Sequence, residues 1–165
     1  MPVSDQGVTL DRYMIIPRVL IFVTRGSRVL LLKGAPTKRL WANKYNGLGG
    51  HVERGEGILS AARRELREEA GLTADLWLCG TVIVDTGENP GIGIYVFMGE
   101  CPEGEAKSSV EGRLEWVSFE DLGNLPAVED LPILLGRISQ MKCGDPPFSA
   151  RSFYENDRLR FEFSE

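Results

Sequence analysis

Apolar residues recur along the chain in two rhythms. Short β-branched and leucine-rich runs, Arg18–Thr24 and Arg28–Lys33, flank Arg25-Gly26-Ser27 and predict a hairpin. Similar runs at Leu76–Val84, Ile92–Met98 and Arg113–Phe119 predict further strands, and Arg151–Phe163 alternates about Asn156-Asp157 as a closing hairpin does. Leu59, Ala62, Leu66 and Ala70 repeat at helical spacing and predict a helix over Ile58–Ala70, with Gly71 as its left-handed terminator. Leu131, Leu134, Leu135, Ile138 and Met141 predict a second helix over Leu131–Lys142. Gly34–Tyr45 and Gly99–Gly112 are polar and read as loops. Tyr45–Val52 carries Gly47, Gly49 and Gly50, a density that suggests extended backbone approached closely by something else. Strands and helices do not alternate strictly, so the expected fold class is α+β, a mixed sheet flanked by two helices. Residues 1–14 read as a polar tail and 15–165 as a single domain.

Composition narrows the function classes. The 165 residues carry 24 acids against 19 Lys and Arg, a net charge of −5. That balance disfavours a broad basic face of the kind that binds duplex nucleic acid. Apolar runs are far shorter than the roughly 20 residues of a membrane span, and the first residues lack the basic start and apolar core of a secretory leader. Cys79, Cys101 and Cys143 are odd in number and have no CxxC spacing. Reduced thiols in a cytoplasmic protein are expected.

The candidate chemistry lies on the first helix. Glu65, Glu68 and Glu69 stand at i, i+3 and i+4, within an arc of about 100°. Such a stripe on its own is usually a solvated face. Here Gly50 is followed by five residues and Glu56, then seven residues and Arg64-Glu65-Leu66, one residue, Glu68-Glu69, one residue and Gly71-Leu72. The stretch GHVERGEGILSAARRELREEAGL resembles the Nudix box at every specified position, and the layout from about Ile15 to Met98 resembles the Nudix α/β/α sandwich.

Three carboxylates on one face repel one another and would repel a diphosphate, so they make sense with divalent cations between them. Hard oxygen ligands of this kind select Mg²⁺ or Mn²⁺. The resemblance implies metal ligation by Glu65, Glu68 and Glu69 and by a backbone carbonyl at Gly49 or Gly50. It also implies that Glu56 coordinates or orients the cluster. Arg64 precedes Glu68 by four residues, the spacing of a helical ion pair, and is expected to orient carboxylates. Glu111, at the end of a polar loop, stands where MutT-like enzymes often place another ligand or base; Glu65 and Glu111 both remain candidates for general base. His51, the only histidine, is expected to be exposed or supporting. Lys33, Lys38, Arg39 and Lys44 are candidate phosphate contacts, Lys33 foremost.

The segment Lys44-Tyr45-Asn46-Gly47-Leu48-Gly49-Gly50 is similar to that preceding the box in 8-oxo-dGTP diphosphatases of the MutT group, which implies that Asn46 reaches a purine base; a turn-stabilising Asn before Gly is the alternative. Glu129-Asp130 resembles an acidic pair that also contacts the base, although the following helix begins sooner here; Asp130 as a plain helix cap is the alternative. The leading expectation is a Mg²⁺-dependent nucleoside triphosphate pyrophosphohydrolase. The alternatives are a hydrolase of another nucleoside diphosphate-X compound, such as ADP-ribose, a dinucleoside polyphosphate or capped RNA, and a non-catalytic nucleotide sensor. The expected partner is a nucleotide, on a monomer or homodimer.

Overall fold

The structure, a computed structural model, describes residues 1–164. The elements in chain order are β1 (Ile15–Arg25), β2 (Arg28–Gly34), β3 (Tyr45–Asn46), β4 (Leu48–His51), α1 (Ile58–Ala70), β5 (Trp77–Val84), β6 (Gly91–Glu100), β7 (Gly112–Ser118), α2 (Leu131–Ile138), β8 (Phe148–Glu155) and β9 (Arg158–Ser164). Short 3-10 turns occupy Val3–Asp5 and Phe119–Asn124. The sheet runs β3-β2-β1-β6-β5-β8-β9, with β4 added on β1 and β7 on β2. β1–β6 and β5–β8 are parallel pairs, so the sheet is mixed. No helix among the described residues is long and apolar enough to cross a membrane.

β1 explains the layering. A central strand covered on both faces reads as a continuous apolar run, and successive side chains point to opposite faces. Val19, Ile21 and Val23 pack with Ala62, Leu66 and Ala70 of α1, whereas Phe22, with Leu20 beside it, joins Leu131, Leu134 and Ile138 of α2. The two helices therefore close the two faces of one sheet, as an α/β/α sandwich. Truncating a fully buried residue such as Phe22 or Leu66 to Ala would cost about 2–5 kcal/mol.

Several expectations need adjusting. β1 begins at Ile15, three residues before the apolar run, because Ile15–Pro17 pair with Gly91–Gly93 of β6 even where they are exposed. The first hairpin closes through Gly26-Ser27 alone, with Gly26 at φ +57. α2 ends at Ile138, because Ser139 turns its hydroxyl back onto the Gly136 carbonyl and Met141 donates to Ile138 in a tighter turn. The tail is exposed, yet it is tied at its end: Asn89 accepts from Met14 N–H at 2.9 Å and donates to the Arg12 carbonyl at 3.0 Å.

α1 matches its expected span, and Gly71 closes it at φ +67 with its N–H on the Arg67 carbonyl. Its buried face is rotated from the expected one. Ala61 is fully buried and Leu59 is 36% exposed. The burial arc thus turns toward the carboxylates, and the acidic stripe does not lie wholly in solvent.

Candidate active site

β4 brings the glycine pair beside Glu65 and Glu69 of α1. Gly50 pairs with Val19 and Gly49 with Leu20 on β1. A Cβ on Gly49 would lie 2.1 Å from the Val19 carbonyl oxygen, and one on Gly50 would lie 2.3 Å from Oε1 of Glu65. Gly49 is therefore required by strand packing. Gly50 is required because the Glu65 carboxylate rests on its backbone.

Arg64 organises the acids. It donates through Nε and an Nη to both oxygens of Glu56 at 3.0 and 2.7 Å, to Glu65 Oε1 at 2.8 Å, to Glu68 Oε2 at 3.1 Å and to the His51 carbonyl at 3.0 Å. A planar guanidinium suits this fork better than an ammonium would. Glu56 also accepts from Glu53 N–H, and these bonds, Arg64 first, hold its carboxyl down at about 2. Glu56 first and then Glu65 raise the Arg64 pKa further. With both oxygens of Glu56 engaged in this way, its place is behind Arg64, an arrangement that fits an orienting role.

The three helix acids differ sharply. Glu68 is 61% exposed at its side chain and Glu65 only 13%. Glu69 faces inward and accepts a long hydrogen bond, 3.4 Å, from Gly49 N–H. Burial, then the Glu65 charge, push Glu69 up to about 7, with Glu111 adding to the rise and Gly49 N–H and Lys38 opposing it. Glu111 enters from the other side and pairs with Lys38 at 2.7 Å.

Among the described residues, no three His, Cys, Asp or Glu side chains converge as a ready metal cage. Two cations engage these acids instead: Arg64 pairs with Glu56, Glu65 and Glu68, and Lys38 pairs with Glu111. The donor set still suits Mg²⁺, which is usually held by one or two carboxylates together with substrate phosphates. Glu69, crowded by like charge, is the carboxylate a cation would relieve most directly.

A cleft of about 560 Å³ runs from this corner across the sheet. Gly49, Gly50, His51, Glu69, Lys38 and Glu111 border one end. Asn46, Glu129 and Asp130 border the same cleft, beside the apolar side chains of Val84, Ile92 and Ile94. Asn46 Oδ1 accepts from Gly47 N–H at 2.8 Å, which leaves its amide NH₂ as the group free to donate. A side chain has no room beside it, since a Cβ on Gly47 would lie 2.7 Å from the Phe22 ring. Asp130 makes no side-chain cap on α2, so the capping alternative fails. Burial, with the Glu129 charge a lesser cause, raises the Asp130 pKa.

Other expected contacts lie elsewhere. Lys33 does not border the cleft: its ammonium sits 5.5 Å from the centroid of the Tyr45 ring, whose hydroxyl donates to Glu115, so the anticipated substrate contact is corrected. Lys44 and Lys38 do border it and Arg39 does not. His51 Nε2 accepts from Arg18 at 3.2 Å, a supporting arrangement. Trp41, Tyr154 and Leu159 border the cleft without having been anticipated. Trp41 is half exposed with φ +59, an unusual backbone for a bulky residue.

Residues 14–135 match the family described as NUDIX domain. The chain is 39% identical over 105 residues to an oxidized purine nucleoside triphosphate hydrolase of Danio rerio, covering 62% of this chain and 66% of that protein. It is 33% identical over 115 residues to the NAD-capped RNA hydrolase NudC of Pseudomonas aeruginosa, covering 67% of this chain and 39% of that protein. The chain thus spans just under two thirds of the length of the purine triphosphate hydrolase it matches. Among solved structures, a MutT protein from Bacillus halodurans superposes with a TM-score of 0.75 at 25% identity, covering 90% of this chain and 97% of that one.

Proposed function

The chain belongs to the NUDIX domain family, and from that premise we propose that it is a Mg²⁺-dependent pyrophosphohydrolase of nucleoside triphosphates with a preference for an oxidised purine. The observation that carries the reading is the single cleft with two chemically different sets of lining groups: the carboxylates of Glu69 and Glu111 beside Gly49 and Gly50, and a donor amide with an acidic pair beside apolar walls. A diphosphate with its cation suits the first and a purine the second.

Glu65, Glu68 and Glu69, with a backbone carbonyl at Gly49 or Gly50, are the donors for the cation. When bound, Mg²⁺ neutralises phosphate charge and lowers the pKa of a coordinated water. Arg64 keeps Glu65 and Glu68 aimed, and Glu56 braces Arg64. Lys38 is positioned to exchange Glu111 for a phosphate oxygen, which would free Glu111 to bind the cation or to accept a proton. Hydrolysis adds one water across the α–β anhydride and gives a nucleoside monophosphate and pyrophosphate.

At the far end, the Asn46 NH₂ donates to a purine carbonyl. Oxidation at purine C8 puts a proton on N7 and turns an acceptor into a donor. Glu129 and Asp130 together can accept from that N7–H. A site built to pair with polar groups rejects an analogue that leaves them unpaired. A panel of nucleotides incubated with Mg²⁺ and resolved by chromatography tests the class. Release of pyrophosphate from a purine triphosphate is expected. Cleavage of ADP-ribose or a NAD-capped RNA end faster than any triphosphate would move the substrate to the second class, which the likeness to the NAD-capped RNA hydrolase keeps in view.

A further inference from the structure

Asn46 stands on the shortest strand of the sheet. β3 is only Tyr45–Asn46, and it pairs with β2 through Lys33 opposite Tyr45 and Leu32 opposite Asn46. Two register pairs are a weak hold for a residue that has to meet a ligand. Successive side chains on a strand point to opposite faces. Asn46 borders the cleft, whereas the Tyr45 ring is buried behind it in the core cluster that contains Phe22, Val128 and Leu131. The strand is thus anchored from the rear.

Tyr45 is tied to two further segments. Its backbone forms a parallel bridge with Ala127: the Tyr45 N–H donates to the Pro126 carbonyl at 2.9 Å, and the Tyr45 carbonyl accepts from Val128 N–H at 3.0 Å. Val128 and Leu131, which flank Glu129-Asp130, are both buried. The Tyr45 phenol reaches across β2 and donates to Oε2 of Glu115 on β7. Register makes that reach possible. Tyr45, Lys33 and Arg113 stand in one row across β3, β2 and β7, and Glu115 is two residues along from Arg113 on the same face. Arg113 holds Oε1 of Glu115 at 2.9 Å from Nε and 2.6 Å from an Nη, so each carboxylate oxygen has its own partner. The bond to Glu115, then burial, raises the phenol's pKa and the same bond lowers that of Glu115, which keeps donor and acceptor in place at neutral pH.

We propose that Tyr45 is a positioning residue for base recognition: its phenol, anchored on Glu115, fixes Asn46 and the segment leading to Glu129-Asp130 at one spacing. This rests on the nucleotide reading above and adds to it the element that sets the distance between the donor amide and the acidic pair. Fixing both groups in advance removes the ordering cost of binding. None of the Tyr45 or Glu115 bonds involves Arg64 or the acids of α1, so the effect falls on the base and leaves the phosphate end untouched.

Tyr45→Phe keeps the buried ring and removes the donor. With Mg²⁺ present, its KM for the purine triphosphate that the wild type cleaves best should rise about 3- to 10-fold, the range of one lost hydrogen bond, while kcat holds. Inhibition by inorganic pyrophosphate, which occupies only the phosphate end, should stay at the wild-type level. Glu115→Ala, at a side chain partly open to solvent, should reproduce the rise in KM. The double variant should show no more than either alone, because both remove the same bond. A lower melting temperature with unchanged purine KM in both variants would mean that the bond only stabilises the fold, and would overturn the proposal. Effects that multiply in the double variant, or a parallel weakening of pyrophosphate inhibition, would overturn it too. Those results leave the nucleotide reading standing while the wild type cleaves triphosphates; a wild type inert to every nucleoside triphosphate would overturn both.

Discussion

The two ends of the cleft are built in opposite ways. At the α1 corner, Arg64 makes five hydrogen bonds of 2.7–3.1 Å to partners between His51 and Glu68. Every participant comes from one short stretch of chain, and the glycines beside it leave no room for a side chain. At the base end, Asn46, the Glu129-Asp130 pair and Tyr154 come from three segments distant in sequence that border one cleft, the first two tied by backbone bonds from Tyr45 N–H to the Pro126 carbonyl and from Val128 N–H to the Tyr45 carbonyl. Their hydrogen bonds are few and their side chains partly exposed. On the proposed reading, the hydrolytic chemistry, which depends on charge placement to within a fraction of an ångström, sits on the interlocked part, and recognition sits on parts that can change without disturbing it.

Substitutions at the first end should therefore lose turnover, and substitutions at the second should lose discrimination. The largest effect is expected at Glu69→Gln, with kcat reduced at least about a hundredfold, the scale of removing one positioned acid–base or ligand group. The same variant should be more stable in the metal-free state. Glu69 is raised to about 7 from an ordinary carboxylate value of 4.5, so its contribution to stability is fully present below pH 4.5 and is lost as pH rises through 7. With chelator at pH 8, Glu69→Gln should melt higher than wild type by on the order of 1–3 kcal/mol of stability, and at pH 4 the difference should vanish. A variant that melts lower at pH 8 would show that the charge is not strained.

Gly50→Ala comes next. Its Cβ would meet Glu65 Oε1 at 2.3 Å, so either the carboxylate moves or the strand does. Overpacking of this kind costs about 1–3 kcal/mol, read as a lower denaturant midpoint together with a fall in kcat. A fully active, fully stable Gly50→Ala would remove the reason given for that glycine. Arg64→Lys should have a smaller effect: charge is kept but the fork that spans Glu56, Glu65 and Glu68 is lost. Steady-state kinetics should give a lower kcat with little change in KM. A sharp rise in KM at constant kcat would mean that Arg64 holds substrate instead.

The same contrast governs how much could be read beforehand. The ends of α1 were legible because Gly71 takes the left-handed conformation that a helix terminator needs, and the spacing from Gly50 to Leu72 is local. Leu59 was assigned to the buried arc because an amphipathic pattern treats charged residues as solvent-facing. Glu65 and Glu69 do not obey that rule, and the buried arc is turned toward them. The charge of Lys33 is legible in the sequence as a phosphate contact, whereas its place over the Tyr45 ring depends on the fold. Tyr154 gave no signal as a candidate, since nothing in an alternating hairpin says that one of its residues borders the cleft. Asp130 carried the look of a cap, and only the backbone of α2 shows that it makes none.

The central claim is that one cleft joins a hydrolytic end to a purine-reading end, and the most direct test is a selectivity ratio. Initial rates with Mg²⁺ give kcat/KM for 8-oxo-dGTP and for dGTP, in wild type and in Asn46→Ala. The account predicts a ratio well above one in wild type. In Asn46→Ala, kcat/KM for the oxidised purine should fall by about 1–3 kcal/mol, the cost of a buried partner left unpaired, with a pyrimidine triphosphate barely affected. Equal kcat/KM for the two purines in wild type, or an equal loss on every triphosphate in Asn46→Ala, would contradict it.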